Sequence, residues 1–165
     1  MKNLKKLLLV FFFTVAVSLF VFAIFASAEE VKYPVDGGYI YFDPETGTIT
    51  GASQYVTVID IPAEINGVEV TQIKAWAFEK DKYIYATQIN IPSTVKVIGE
   101  GAFYGISTLQ AINVDPANPN YCDIDGVLFS ADKSTLISYP NAKPVTEYVV
   151  PEGVTTLATY AFVNT

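Results

Sequence analysis

The sequence predicts a β-rich solenoid of about four stacked units, with short helical turns and an N-terminal β-hairpin cap. Three observations predict it. A short alternating apolar stretch ended by proline recurs four times. A second block, Val-x-x-Ile followed by Ala-Phe, recurs at fixed spacing. The residue types that most folds of this size use for chemistry or cross-linking are absent: the 165 residues contain no His, no Arg and a single Cys.

The chain opens on a leader. Lys2, Lys5 and Lys6 precede an apolar run from Leu7 to Phe25, and Ala26-Ser27-Ala28 then gives a small-x-small site before Glu29-Glu30. This is the layout of a secretory signal peptide cleaved after Ala28, although the 19-residue apolar core is long enough that retention as a membrane anchor is the alternative. Residues 29–165 then keep 7 Lys against 17 acids, a net charge of −10. That balance excludes a nucleic-acid binder, which needs a basic face.

Residues 29–55 stand outside the repeat. Tyr39-Ile40-Tyr41-Phe42, the turn residues Asp43-Pro44-Glu45-Thr46-Gly47, and Thr48-Ile49-Thr50 form a hairpin pattern. A stacked array needs its first core face covered, so this segment is assigned as the cap.

Residues 56–165 carry the repeat. The strand block reads Val56-x-x-Ile59-x-Ile61-Pro62, Ala86-x-x-Ile89-x-Ile91-Pro92, Leu109-x-x-Ile112-x-Val114 with Pro116 one place late, and Val145-x-x-Tyr148-x-Val150-Pro151. Alternation gives each strand one buried face, and proline ends its ladder. The second block reads Val70-x-x-Ile73 to Ala77-Phe78, Val95-x-x-Ile98 to Ala102-Phe103, and Val154-x-x-Leu157 to Ala161-Phe162, always 8 residues from Val to Phe. A short helical turn is expected near each Phe, with Phe78, Phe103 and Phe162 stacked inside. Successive strands lie 30, 23 and 36 residues apart (Ile61 to Ile91, Val114 and Val150). The extra residues centre on Asn66-Gly67 and on Asp125-Gly126-Val127-Leu128-Phe129 through Tyr139, the latter a second hairpin in a unit that lacks Ala-Phe. The sequence stops at Asn164-Thr165, just after an Ala-Phe block, so the array is expected to continue.

At these residues the sequence resembles the BspA-type leucine-rich repeat family, most clearly from Ile91-Pro92 through Val95-x-x-Ile98-Gly99 to Ala102-Phe103. The resemblance implies a secreted or cell-surface bacterial module that binds host proteins, matrix or other cells.

Chemistry finds little support. Gly99-Glu100-Gly101-x-x-x-Gly105 misses the dinucleotide spacing by one residue, and the repeat accounts for it. Asp123-Ile124-Asp125-Gly126 echoes a calcium loop, but aligned on its Gly the last ligand position holds Asp132 instead of Glu. No carboxylate pair is assignable to a cleft. No catalytic residue, metal site or cofactor is therefore assigned. The outward strand positions are the candidate partner surface: Asp60, Asn90, Asn113 and Val149 in one row, Val58, Gln88, Ala111 and Glu147 in the next, and Thr57, Thr87, Gln110 and Thr146 alongside. An extended strand face suits a protein or matrix partner. Trp76, Tyr83 and Tyr85 are the candidate aromatic platform, and their joint exposure would favour a glycan. A structural stalk in a larger surface protein is the remaining alternative.

Overall fold

The computed structural model describes residues 29–79 and 84–162. The expected leader, 1–28, and Tyr83 lie outside the described residues. Strands β1 (Val31–Val35), β2 (Gly38–Asp43) and β3 (Thr48–Ala52) form an antiparallel meander. The Asp43 carboxylate closes the β2–β3 turn, accepting from the Glu45 N–H at 2.9 Å and the Thr46 hydroxyl at 2.7 Å.

The repeats follow as two parallel ladders. The front ladder holds β4 (Val58–Asp60), β8 (Gln88–Ile91) and β10 (Ala111–Val114) in the order β10-β8-β4. Its register puts Ile59, Ile89 and Ile112 in one row, each fully buried. Removing one such side chain from water is worth about 1.5–3 kcal/mol before ordering costs. The back ladder runs β3, β7 (Gln72–Ile73), β9 (Val97–Ile98) and stacks Ile49, Ile73 and Ile98. The cap is thus continuous with the back ladder through β3. Between the ladders, β5 (Glu64–Ile65) and β6 (Val68–Glu69) make a hairpin at Asn66-Gly67, where both residues have positive φ. This is the paired left-handed turn that matches strand twist.

The extra residues of the third unit form a meander of β11 (Tyr121–Ile124), β12 (Val127–Ser130) and β13 (Thr135–Ser138), and β13 pairs in parallel with β14 (Thr156–Leu157). A repeated backbone fork aligns the units. Thr71 and Gln72 donate to the Gly47 carbonyl, Lys96 and Val97 to Thr71, and Thr155 and Thr156 to Ser134. Between β9 and β13 the fork is missing. There the Ile98 N–H donates to the Tyr121 hydroxyl at 3.0 Å, and that hydroxyl reaches the Lys96 carbonyl at 3.5 Å. A side chain of the insert fills the break.

The structure corrects three expectations, the third being the Phe stack described below. The Ala-Phe blocks are isolated hydrogen-bonded turns, and no helix forms among the described residues. The reason lies one residue before each Ala: Trp76, Gly101 and Tyr160 all have positive φ, at 57°, 62° and 65°. A left-handed residue at that point stops helical propagation. The fourth expected strand, Val145–Val150, is also absent, and Val149 is 77% exposed. The next place on the front ladder is taken. The Ile112 N–H donates to the Gly126 carbonyl at 2.8 Å, and the Val114 N–H to the Asp123 carboxylate at 2.9 Å.

Two apolar clusters result. The larger spans the cap and the first three units. The smaller gathers Val127, Phe129, Leu136, Tyr139 and Ala161. The expected Phe stack is divided in the same way. Phe78 and Phe103 stack at 6.0 Å, while Phe162 stacks on Tyr139 at 5.2 Å. Tyr139 holds the Phe place of the third unit, since its N–H donates to the Ala161 carbonyl as that of Phe78 does to Ala102.

Candidate binding surface

The outward face of the front ladder places three of the candidate residues in one row. Register sets Asp60 beside Asn90, and Asn90 beside Asn113. Their side chains are linked. The Asn90 amide donates to Asp60 Oδ1 at 2.6 Å, and the Asn113 amide donates to Asn90 Oδ1 at 2.8 Å. Gln88 donates to the same oxygen at 2.7 Å. Each unit supplies one polar group at the same height, so the amides run as a chain along the face. Such linkage holds these side chains in one set of rotamers.

The row is flanked by two shallow depressions. One, of about 550 Å³, is bordered by Tyr33, Asp36, Asp60 and Pro62; the other, of about 380 Å³, by Asn90, Pro92, Asn113 and Asp115. Gln110 is exposed and donates its backbone N–H to the Thr87 carbonyl, as Thr87 does to Thr57. Glu147, like Val149, sits in the segment without strand pairing and does not extend either row.

The aromatic residues separate into two groups. Tyr85 stacks on Tyr55 at 6.1 Å, and both residues are exposed. Trp76 instead meets Tyr160 at 4.7 Å and Tyr104 at 5.3 Å, edge to face.

Asp123 has a structural task here. It accepts from the Val114 N–H and from the Gly126 N–H at 3.3 Å, fixing the Asp125-Gly126 turn against β10. Among the described residues, no group of three or more His, Cys, Asp or Glu could hold a metal ion. One polar residue that sequence reasoning did not single out is central to the architecture. Asn118, 7% exposed, donates to the Pro92 and Val95 carbonyls and accepts from the Asn120 and Tyr121 N–H groups. Its signal was the turn-rich run Asp115-Pro116-Ala117-Asn118-Pro119, which displaces the proline of that unit.

Residues 55–165 match the model of the BspA type leucine-rich repeat region, in six copies. The chain belongs to the BspA-type leucine-rich repeat family. Three solved structures resemble this repeat protein. A leucine-rich repeat protein from Eubacterium ventriosum is 31% identical, with a TM-score of 0.58 over 66% of this chain and 27% of its own. The pneumococcal vaccine antigen PcpA is 26% identical, with a TM-score of 0.52 over 65% of this chain and 31% of its own. A leucine-rich cell surface protein from Faecalibacterium prausnitzii is 28% identical, with a TM-score of 0.51 over 66% of this chain and 33% of its own. This BspA-type chain therefore spans about a third or less of the length of each. No curated protein matches it.

Proposed function

We propose that this BspA-type chain is a secreted or surface-displayed module that binds a protein or matrix partner through the outward face of β4, β8 and β10, without catalysis. In this reading residues 1–28 are a leader removed after Ala28, 29–55 a cap and 56–165 the repeats. The observation that carries it is the hydrogen-bonded row Asp60–Asn90–Asn113 with Gln88 beside it. A row of amides and one carboxylate, fixed by its own bonds on a broad face, suits peptide groups and polar side chains of a large partner. The cell-surface setting of one structural relative and the antigen identity of another support the same location.

The test is attachment of the full chain to mammalian cells and to matrix-coated surfaces. The Asn90→Lys/Asn113→Lys double variant places two long cations on the row. Lost attachment with unchanged circular dichroism supports the reading. Attachment at the wild-type level by the folded variant overturns it.

A further inference from the structure

The third unit leaves a gap on the turn side of the solenoid. From the inward β-residue to the ring that follows, Ile73 to Phe78 and Ile98 to Phe103 are 5 residues, whereas Leu136 to Tyr139 is 3. The omitted residues are those that bulge as Ala75-Trp76 and Glu100-Gly101 in the first two units. Without them, a groove of about 440 Å³ opens between the second turn and the β13–β14 face. Its walls are residues 99–104 and 158–160, and its floor is formed by Thr135, Ile137 and Thr156.

The lining defines the ligand. Thr135, Ser138, Thr156 and Thr159 contribute neutral hydroxyls, Tyr104 and Tyr160 contribute rings, and Glu100 contributes one carboxylate. The hydroxyls of Thr135, Ser138, Thr156 and Thr159 make no hydrogen bonds among the described residues, which leaves them open to a ligand. No lysine lines it, so an anionic ligand finds no counter-charge in a strongly acidic protein. The floor strand β13 is paired on both sides, by β12 and β14, so a peptide cannot extend the sheet at β13 itself. A ring with hydroxyls at its rim and C–H groups on its face matches hydroxyl-lined walls and aromatic side chains together. The volume lies in the range of small-ligand sites.

The rings are also held at a cost. Trp76 and Tyr160 occupy left-handed positions where the second unit uses Gly101. Such backbone strain, retained in an aromatic side chain, gathers where side-chain placement serves a purpose. Here it sets Trp76 against Tyr160 and Tyr104, which are 5.9 Å apart, so that the indole backs two of the rings that line the groove.

We propose that this groove is a binding site for one or two rings of a neutral glycan, separate from the front-ladder face. Trp76 is the chain's single tryptophan and touches two lining residues, so its fluorescence reports occupancy. The full chain is titrated with maltotriose, cellotriose, xylotriose and chitotriose, by fluorescence and by calorimetry. Saturable binding of at least one is expected, weakened about tenfold or more by Tyr104→Ala, a loss of about 1.4 kcal/mol. Thr159→Lys, which fills the groove from an exposed turn, is expected to do the same and serves if Tyr104→Ala does not fold. The Asn90→Lys/Asn113→Lys variant is expected to bind the sugar as the parent does, so the two sites fail independently. The proposal is overturned if no trisaccharide binds up to about 10 mM, beyond the weak end of ordinary affinities. It is equally overturned if binding survives both groove variants in folded protein.

Discussion

Trp76 lies across Gly101: a β-carbon on the glycine would come within 2.7 Å of the indole Cζ3. The two residues hold the same place in consecutive turns, both with positive φ. The glycine of the second turn thus gives the first turn's indole room to reach Tyr160 at 4.7 Å. Gly101→Ala adds both a left-handed alanine and an obstruction. We expect it to destabilise the chain by at least about 1–2 kcal/mol. Its tryptophan emission should also shift as the indole is displaced. Urea unfolding followed by fluorescence measures both.

Asn118 joins the second unit to the insert through four hydrogen bonds. Asn118→Ala leaves buried backbone groups without partners and is expected to cost about 1–3 kcal/mol. Asn118→Asp should cost more at pH 7, because an ionised carboxylate has no proton to offer the Pro92 and Val95 carbonyls. Protonating it restores a donor, so the Asp variant should recover part of its deficit near pH 4. Unfolding curves at the two pH values check this.

Tyr148 is packed between Tyr139 at 4.7 Å and Phe162 at 6.4 Å, and its hydroxyl is buried without a partner among the described residues. Burial pushes its pKa up, with smaller contributions from Tyr139 and Asp125. Tyr148→Phe keeps the ring contacts and removes the orphaned hydroxyl. A gain of about 1 kcal/mol in stability is expected. A loss in thermal or urea unfolding would mean that the hydroxyl finds a partner in solution.

Cys122 donates to the Ser130 carbonyl at 3.3 Å, and burial pushes its pKa up. Its thiol is expected to react with a disulfide reagent at pH 7.5 far more slowly than free cysteine does. The sign for stability follows from the raised folded value. The contribution is complete below the unfolded value of about 8.5 and declines as pH climbs through the folded one. Cys122→Ala should flatten that alkaline decline.

Asp43 behaves in the opposite sense. The Thr46 hydroxyl, first among several hydrogen bonds, holds its carboxyl below the usual range. Its contribution to the β2–β3 turn is present above the unfolded value of about 3.9 and fades as pH falls through the lower folded one. Thr46→Val should return the Asp43 carboxyl toward its ordinary pKa, as read by an NMR titration.

The front ladder was legible in the sequence because its signal is local. Ile59, Ile89 and Ile112 repeat with the same neighbours, and period-two alternation puts Asp60, Asn90 and Asn113 outward by geometry alone. The turn conformation was not legible. Ala77-Phe78 and its equivalents favour a helix by composition, and only the left-handed residue before each Ala prevents one. Trp76 and Tyr160 are poor announcers of positive φ; Gly101 was the sole hint. The fourth strand failed for a long-range reason. Val145, Val149 and Val150 carry the right pattern, but Gly126 and Asp123 had already taken the β10 donors. The groove is likewise invisible to pattern matching, since it arises from two residues missing between Leu136 and Tyr139. The aromatic grouping changed because Trp76 points along the turns toward Tyr160, away from the strand entry where Tyr55 and Tyr85 meet.

The Asp125-Gly126 turn, by occupying the rim of β10, works as a seam. On one side the packing of each unit depends on its neighbour through shared rows of Ile and Phe. On the other, Phe129, Leu136, Tyr139 and Ala161 form a cluster of their own. Repeat arrays unfold as far as nearest-neighbour coupling carries, and at this seam the coupling narrows to Leu128, the β10 hydrogen bonds and Asn118. A long protein built with such inserts would yield under tension in segments bounded by them, instead of unzipping from end to end.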